Sequence, residues 1–265
     1  MKISILGPLS ATEDSVSVVP TAAKPRSLLA LLATFNEHVV PMDVIIEELW
    51  EDMPPRSAAT TIQTYVLHLR RLIRRALGPA PSNGPKEILR TEHGGYLLDR
   101  SGGSLDVFQY DRLAASGYEA MRAGDYLVAK ARMESALALW RGPAFVDVQA
   151  GSRLVAEATL LEESRKTVLE RRIEADLHLG LHHELVGELA GLTAQNTTDE
   201  RLHAHHMVAL CRVGRRVHAL NVFARLRSAL ADELGLDPSP GLTRLHQAIL
   251  CADPALEKDA YLISV

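Results

Sequence analysis

The sequence predicts a mainly α protein in two parts, with strand signals confined to the first of them. Short apolar runs around Gly7-Pro8 and Thr12-Glu13-Asp14 predict strand, turn and strand, and hence a small β-sheet at the start of the chain. After Ser101-Gly102-Gly103 the strand signals vanish, and alanine and leucine recur at helical spacing as far as Asp253. A length of 265 residues suits two domains. We expect them at residues 1–103 and 104–253, with a flexible tail at 254–265.

Two core helices are predicted after the opening sheet. Pro25 suits the first turn of a helix whose dense apolar face runs to Asn36. Pro41 begins a second helix, which ends at Trp50. Met53-Pro54-Pro55 then forces a turn, because proline cannot continue a helix.

Residues 56–75 form the most informative segment of the chain, an amphipathic helix with five arginines and no acidic residue. One stripe of this helix is apolar and is predicted to pack on the core: Ile62, Val66, Leu69 and Ile73. The opposite face collects Thr60, Thr64, Leu67, His68, Arg71 and Arg75. A helix of this composition, placed after a helix and a turn, is typical of a recognition helix that enters the major groove of DNA. The alternative is that the arginines only solvate a surface helix and complement its dipole.

A hairpin follows at the place where a wing is expected. The segment LGPAPSNGP, from Leu77 to Pro85, is rich in turn residues, and ILRTEHGGYLLD reads as two strands about Glu92-His93-Gly94. Helix, turn, helix and wing hairpin together predict an N-terminal winged helix-turn-helix.

Seven helices are predicted in the second part, at 107–123, 125–139, 152–179, 182–194, 199–212, 215–234 and 240–251. The segments AGDYLVAKARMESALALW and VGRRVHALNVFARLRSAL share one order of glycine, polar turn and amphipathic helix, which is typical of a C-terminal all-α, tetratricopeptide-like helical-hairpin domain. Trp140 closes a helix before Gly142-Pro143, and we favour a core anchor there over an exposed interaction residue.

Charge and cysteine content limit the class of protein. The formal net charge is −4, so any affinity for nucleic acid must come from a local patch. Cys211 and Cys251 lie in apolar helical patterns, which suits buried reduced thiols in a reducing cytoplasm. The start MKISILGPLS does not predict a signal peptide, and no apolar run approaches the length needed to span a membrane.

The sequence contains no pattern that favours a catalytic, cofactor-binding or metal-binding site over a purely structural role. The pairs His178/His182 and His203/His206 have metal-ligand spacing but lack a convincing third ligand, so we expect packing or surface histidines and no metal. Neither a GxxxxGK[ST] loop nor a GxSxG elbow occurs, so we expect no enzyme and no cofactor.

Several motifs then resemble one known family. GPL, LLALLA, ELW, TIQTYVLHLRRLIR and RTEHGGYLL resemble the OmpR-type winged helix, the effector domain of two-component-like regulators. ALALWRGPAF, LEESRKTVLERRIEADLHLG, HHELVGELAGL and ADELGLDPSPGLTRLHQAIL resemble the bacterial transcriptional activator domain. Together, over about residues 1 to 255, the chain resembles the Streptomyces antibiotic regulatory protein family.

The resemblance implies a pathway-specific activator of a secondary-metabolite (antibiotic) gene cluster. It implies binding to direct repeats in double-stranded promoter DNA near the −35 region, as a homodimer on the DNA. It also implies contact with the RNA polymerase holoenzyme, through the sigma factor and the C-terminal domain of the alpha subunit, and a cytoplasmic, nucleoid-associated location.

Groove-facing positions of the family fall on Thr61, Thr64, His68 and Arg70 of this sequence. Positions near phosphate or the minor groove fall on Arg71, Arg90, Thr91, His93 and Gly94. The helix itself adds Thr60, Leu67, Arg74 and Arg75 to this set of candidate DNA-binding residues. By helical angle Arg70 lies on the flank, which favours a phosphate contact over a base contact. The sequence departs from the family at Leu67-His68, where Ser-Arg is more common, and at Glu92 in the wing.

Two other functions remain open at this point. The chain could be a helical-repeat protein-interaction adaptor or ligand sensor with little DNA binding of its own, in which the first hundred residues act as a scaffold. A repressor would dock on DNA as an activator does, so the residues alone do not separate the two.

Overall fold

A computed structural model describes residues 1–35, 38–78, 84–99 and 103–257 of the protein. The strands are β1 (Lys2–Ser4), β2 (Ser10–Glu13), β3 (Val16–Ser17), β4 (Val40–Pro41), β5 (Leu89–Glu92), β6 (Gly95–Leu98) and β7 (Ser104–Leu105). The helices are α1 (Ala23–Thr34), α2 (Met42–Trp50), α3 (Ala58–Leu77), α4 (Pro85–Ile88), α5 (Asp106–Arg122), α6 (Tyr126–Leu137), α7 (Ser152–His178), α8 (His182–Gln195), α9 (Glu200–Arg212), α10 (Arg216–Ala229) and α11 (Pro240–Cys251). Two compact units result: Met1–Leu113 with Ser135–Lys166, and Ala114–Glu134 with Thr167–Val265.

The first unit opens with a four-stranded sheet of order β3-β2-β1-β7. β1 runs antiparallel to β2 and parallel to β7, with Ile3 opposite Ala11 on one side and Leu105 on the other. The predicted turn at Thr12-Glu13-Asp14 is wrong by two residues, because Thr12 and Glu13 belong to β2. The chain instead reverses at Asp14 and Ser15, both of which have positive φ. The parallel strand β7 was not predicted, since two residues are too few for an alternating pattern.

The predicted helix-turn-helix is confirmed. The apolar faces of α1, α2 and α3 are buried, with a core that includes Leu28, Leu32, Ile45, Leu49, Ile62, Val66 and Leu69. α3 begins at Ala58, two residues later than predicted, and ends at Leu77. The next residue, Gly78, has a φ of 73°, which glycine adopts most easily. The exposed segment from Glu51 to Ser57 forms the turn between α2 and α3.

The wing hairpin is also confirmed, as part of a second sheet of order β4-β6-β5. Glu92 pairs with Gly95, so His93 and Gly94 form a two-residue turn. Packing requires glycine at position 95, which the sequence did not reveal, because a Cβ atom on Gly95 would lie 2.1 Å from the Val40 carbonyl oxygen on β4. Within the predicted loop from Leu77 to Pro85, residues 79–83 lie outside the described residues, and α4 begins at its last residue.

Residues 135–166 belong to the same compact unit as the winged helix. Trp140 is 8% exposed and packs edge-to-face on Tyr110, with ring centroids 5.7 Å apart. The Arg165 guanidinium lies 4.7 Å from the centroid of the Trp140 ring. The predicted core anchor is therefore confirmed.

The second unit is helical throughout its described residues, as predicted. α8 packs on α9, and α9 packs on α10, around a core that includes Leu189, Met207 and Leu226. Gly180 and Gly214, in the turns that follow α7 and α9, adopt positive φ.

Three details of the second unit differ from expectation. The predicted helix at 215–234 changes after Ala229 into a π-helical turn, Leu230–Leu234, that ends at Gly235. Part of the predicted flexible tail is folded, because Pro254–Glu257 forms a short 3₁₀ helix that buries Leu256; residues 258–265 lie outside the described part. Both cysteines are free, but Cys251 is exposed and Cys211 only partly buried, so the expectation of two buried thiols is wrong. No helix in the described ranges is long and apolar enough to cross a bilayer.

Candidate nucleic-acid interface

α3 divides into a buried and an exposed face as its sequence pattern predicted. The apolar stripe is buried, whereas the side chains predicted opposite to it are all exposed: Thr60, Thr64, Leu67, His68, Arg71 and Arg75. Leu67 lies on this face as well and is 53% exposed. An exposed leucine among threonines and a histidine suits contact with a thymine methyl group.

The threonine hydroxyls of α3 already use their protons. Thr61 Oγ1 donates to the Ser57 carbonyl oxygen at 3.0 Å, and Thr64 Oγ1 donates to the Thr60 carbonyl oxygen at 3.1 Å. Each hydroxyl oxygen retains acceptor capacity, so Thr64 offers an acceptor and a methyl group to a partner. Thr61 is half-buried, which makes it the less accessible of the two.

Positive charge without compensation gathers in the second half of α3. Arg71, Arg74 and Arg75 are exposed, and none of them makes an ion pair within the part of the chain that the structure describes. Their charges complement the negative end of the helix dipole and also form a cationic strip for phosphate.

Arg70 differs from its neighbours because its guanidinium binds the wing. Nε and Nη2 donate to the Leu89 carbonyl oxygen at 2.9 and 2.7 Å, and Nη2 donates to Thr91 Oγ1 at 2.9 Å. The side chain is half-buried. Nε and Nη2 of Arg70 therefore bind β5 in the free protein, while its contact with a groove or a phosphate stays a prediction.

The wing carries less net positive charge than its sequence suggested. Arg90 pairs with Asp99 at 3.1 Å and lies 3.9 Å from Glu92. His93 and Gly94 are exposed at the turn, and the Gly94 carbonyl oxygen accepts a hydrogen bond from the Met42 amide at 2.9 Å. Sequence reasoning missed Asp99 as the partner of Arg90, although the hairpin register places the two near one another.

The histidines singled out by spacing have structural contacts. His203 Nδ1 lies 2.8 Å from the Asp199 carbonyl oxygen, and His206 Nδ1 lies 3.3 Å from Thr193 Oγ1. His178 stacks on Tyr126 at 4.0 Å between ring centroids. Among the described residues, no group of three histidine, cysteine, aspartate or glutamate side chains is placed to hold a metal ion.

Comparisons with known proteins match nearly the whole chain. The family model described as "Transcriptional regulatory protein, C terminal" matches residues 17–98, and the one described as "Bacterial transcriptional activator domain" matches residues 105–250. The regulatory protein DnrI of Streptomyces peucetius is 49% identical over 260 residues, which covers 98% of this chain and 95% of DnrI. The regulatory protein AfsR of Streptomyces coelicolor is 37% identical over 257 residues, which covers 97% of this chain but 25% of AfsR.

A solved structure agrees with these matches. The structure of Mycobacterium tuberculosis EmbR in complex with a low-affinity phosphopeptide superimposes with a TM-score of 0.87 at 30% sequence identity, covering 99% of this chain and 68% of that chain. The named relatives are regulatory proteins rather than enzymes. The chain therefore belongs to the bacterial transcriptional activator domain family, and it is a transcriptional activator of the Streptomyces antibiotic regulatory protein type.

Proposed function

We propose that this activator binds promoter DNA sequence-specifically, with α3 in the major groove and the turn of the β5–β6 wing beside it. The observation that carries the proposal is the exposed face of α3. This face combines side chains that are able to contact base edges with three arginines that form no ion pair among the described residues.

The contacts divide by chemistry into base-reading and phosphate-binding groups. Thr60, Thr64, Leu67 and His68 would meet base edges, with Thr61 at the margin of the groove. Arg71, Arg74 and Arg75 would bind phosphates, and Thr91, His93 and Gly94 would approach the backbone or minor groove from the wing. Arg90 would contribute less, because Asp99 already offsets its charge.

The family resemblance supports more specific proposals about the DNA sites, the target genes and the protein partners. We propose direct-repeat sites near the −35 region of promoters in a secondary-metabolite gene cluster, occupied by two copies of the chain in the bacterial cytoplasm at the nucleoid. Residues 1–103 would read DNA, and residues 104–253 would contact the second copy and RNA polymerase, through its sigma factor and the C-terminal domain of its alpha subunit. Helical-hairpin arrays offer extended surfaces for such contacts.

Binding isotherms over a range of salt concentrations test the proposal. The probes are promoter fragments next to the gene of this protein and scrambled versions of the same length. We expect tighter binding to the promoter, and Arg71→Ala should reduce the slope of log K against log salt by about 0.9. Arg132→Ala is the matched control, because Arg132 is exposed on α6 outside the proposed interface. Equal binding to both probes by the parent protein would instead favour an adaptor or ligand sensor.

A further inference from the structure

We propose that Arg70 is a positioning residue that fixes the wing against α3, and so determines where His93 and Gly94 meet the duplex. The inference rests on the proposed function and assigns Arg70 a role other than the DNA contact that its position in the family predicts.

The geometry of the Arg70 guanidinium carries the inference. Two of its nitrogens converge on one acceptor, the Leu89 carbonyl oxygen, and one of them also reaches Thr91 Oγ1, all at 2.7 to 2.9 Å. A charged planar fork that makes three short hydrogen bonds is held in one orientation. A phosphate contact that used Nε or Nη2 would break these bonds and leave the buried strand position at Leu89 with an unpaired carbonyl group.

The position of β5 in its sheet explains why such a contact is needed. In the order β4-β6-β5, strand β6 has a partner on both sides, whereas β5 is an edge strand with one side unpaired by any strand. β4 holds β6 through Val40 opposite Tyr96 and Pro41 opposite Gly95. Arg70 holds the free side of the hairpin, and because Thr91 pairs with Tyr96, fixing β5 fixes both strands that lead to the wing turn.

Electrostatics place Arg70 beside the other wing strand as well. Burial raises the pKa of the Tyr96 hydroxyl, and the nearby positive charge of Arg70 opposes that rise. The neighbouring Arg71 has neither a hydrogen bond nor an ion pair among the described residues. Of these two adjacent arginines, Arg70 therefore holds the wing, whereas Arg71 is available to bind DNA.

Lysine substitutions separate the two possible roles, because lysine keeps the charge but lacks the planar fork. If Arg70 positions the wing, Arg70→Lys should weaken binding to promoter DNA about tenfold, the usual effect of losing charged hydrogen bonds, while the salt slope stays unchanged. Arg71→Lys, the matched control, should retain most of the affinity, since a point charge suffices for a phosphate.

A double-mutant cycle with the wing turn gives a readout that general destabilisation does not produce. His93→Ala should weaken binding in the parent protein but have little further effect in Arg70→Lys, because the displaced wing no longer delivers its contact. Thermal unfolding of the free Arg70→Lys protein checks that the variant is folded at the assay temperature. A shift of more than a few degrees would be handled by repeating the cycle at lower temperature.

The possible outcomes are distinguishable. Near-parental affinity of Arg70→Lys, or a His93→Ala effect of equal size in both backgrounds, would overturn the positioning role and support a phosphate contact. Absence of sequence-preferring binding by the parent protein would overturn the proposed function itself, before any variant is compared.

Discussion

At the scale of the residue, neighbours decide what a side chain is able to do. The arginines of α3 look equivalent in the sequence, yet Arg70 is bound to a backbone carbonyl while Arg71 and Arg74 are exposed and unpaired within the described ranges. Likewise Arg90 is offset by Asp99, so its presence in the wing does not translate into free positive charge.

The proposed division between base contacts and phosphate contacts predicts two kinds of variant. Thr64→Ala and His68→Ala should relax the preference for particular base pairs by about 1–3 kcal/mol of discrimination. Arg71→Ala and Arg74→Ala should weaken binding to promoter and scrambled DNA alike, and each should lower the salt slope by about one unit. Isotherms on single-base-pair variants of the repeat measure both effects. Unchanged preference in both groove-face variants would remove α3 from base readout.

Buried histidines predict sensitivity to acid. Burial is the main cause that lowers the pKa of His205 to about 4; the positive charges of Arg201 and Arg171 act in the same direction, and Asp199 opposes them. Because the folded-state pKa lies below the unfolded value of about 6.5, the neutral imidazole costs nothing above that pH. As pH falls from 6.5 to 4, His205 becomes protonated in the unfolded state but stays neutral in the folded state. This difference lowers the free energy of unfolding by up to about 3 kcal/mol.

Denaturant unfolding at pH 7 and pH 4.5 tests this expectation. His205→Leu should flatten the loss of unfolding free energy between the two pH values, whereas the control His218→Gln, at an exposed position, should not. Parallel pH profiles of parent and His205→Leu would show that His205 does not carry the effect.

At the scale of the element, one buried carboxylate decides where the long helix α7 begins. Glu48 on α2 is 3% exposed and accepts hydrogen bonds from the backbone amides of Gly151, Arg153 and Leu154 at 2.6, 3.0 and 3.4 Å. It therefore acts as an N-terminal cap supplied by a residue about a hundred positions away. Gly151 is required for this approach, because a Cβ atom there would lie 2.2 Å from the Glu48 carbonyl oxygen.

Removal of this cap should be costly. We expect Glu48→Ala to lower the free energy of unfolding by about 3–5 kcal/mol, because three amides at the start of α7 lose their acceptor, and Glu48→Gln to lower it by about 1–3 kcal/mol. The neighbouring Glu47→Ala is the control: its ion pair with Arg153 is exposed and should contribute under about 1 kcal/mol. Equal stabilities of the Glu47 and Glu48 variants would contradict the capping role.

At the scale of the whole molecule, the winged helix does not end with its wing. Asp106 accepts hydrogen bonds from the Ile5 and Leu6 amides, and Asp147 accepts one from the Leu9 amide at 2.6 Å. Ser27 on α1 donates to the Gln149 carbonyl oxygen at 2.6 Å. The first hundred residues therefore depend on partners that come later in the chain, so a fragment 1–104 leaves several polar groups unpaired.

We expect fragment 1–104 to bind promoter DNA more weakly than the full chain for two separable reasons. Loss of contacts between protomers should matter only on a site with two repeats, where linked copies gain effective concentration. Loss of the internal partners should weaken the fragment on a single repeat as well, and lower its melting temperature. Titrations on one-repeat and two-repeat probes separate the two effects. Equal affinity of fragment and full chain on both probes would contradict both.

The sequence by itself determined the features that depend on local periodicity and turn chemistry. The apolar stripe of α3, the hairpin about His93-Gly94, the helices of the second part and the buried Trp140 were all predicted, because side-chain spacing defines which face packs. The exposed face of α3, and with it the candidate site, follows from the same periodicity.

Only the tertiary structure decided the contacts between distant or backbone groups. The pairing of β1 with β7, the capping of α7 by Glu48 and the binding of Arg70 to the Leu89 carbonyl oxygen were not predicted. A backbone carbonyl group is the same at every residue, so an arginine that binds one leaves no pattern in the sequence. Partners a hundred residues apart meet only after the chain has folded, and this is why the sequence showed where positive charge lies on α3 but not which arginine is free to use it.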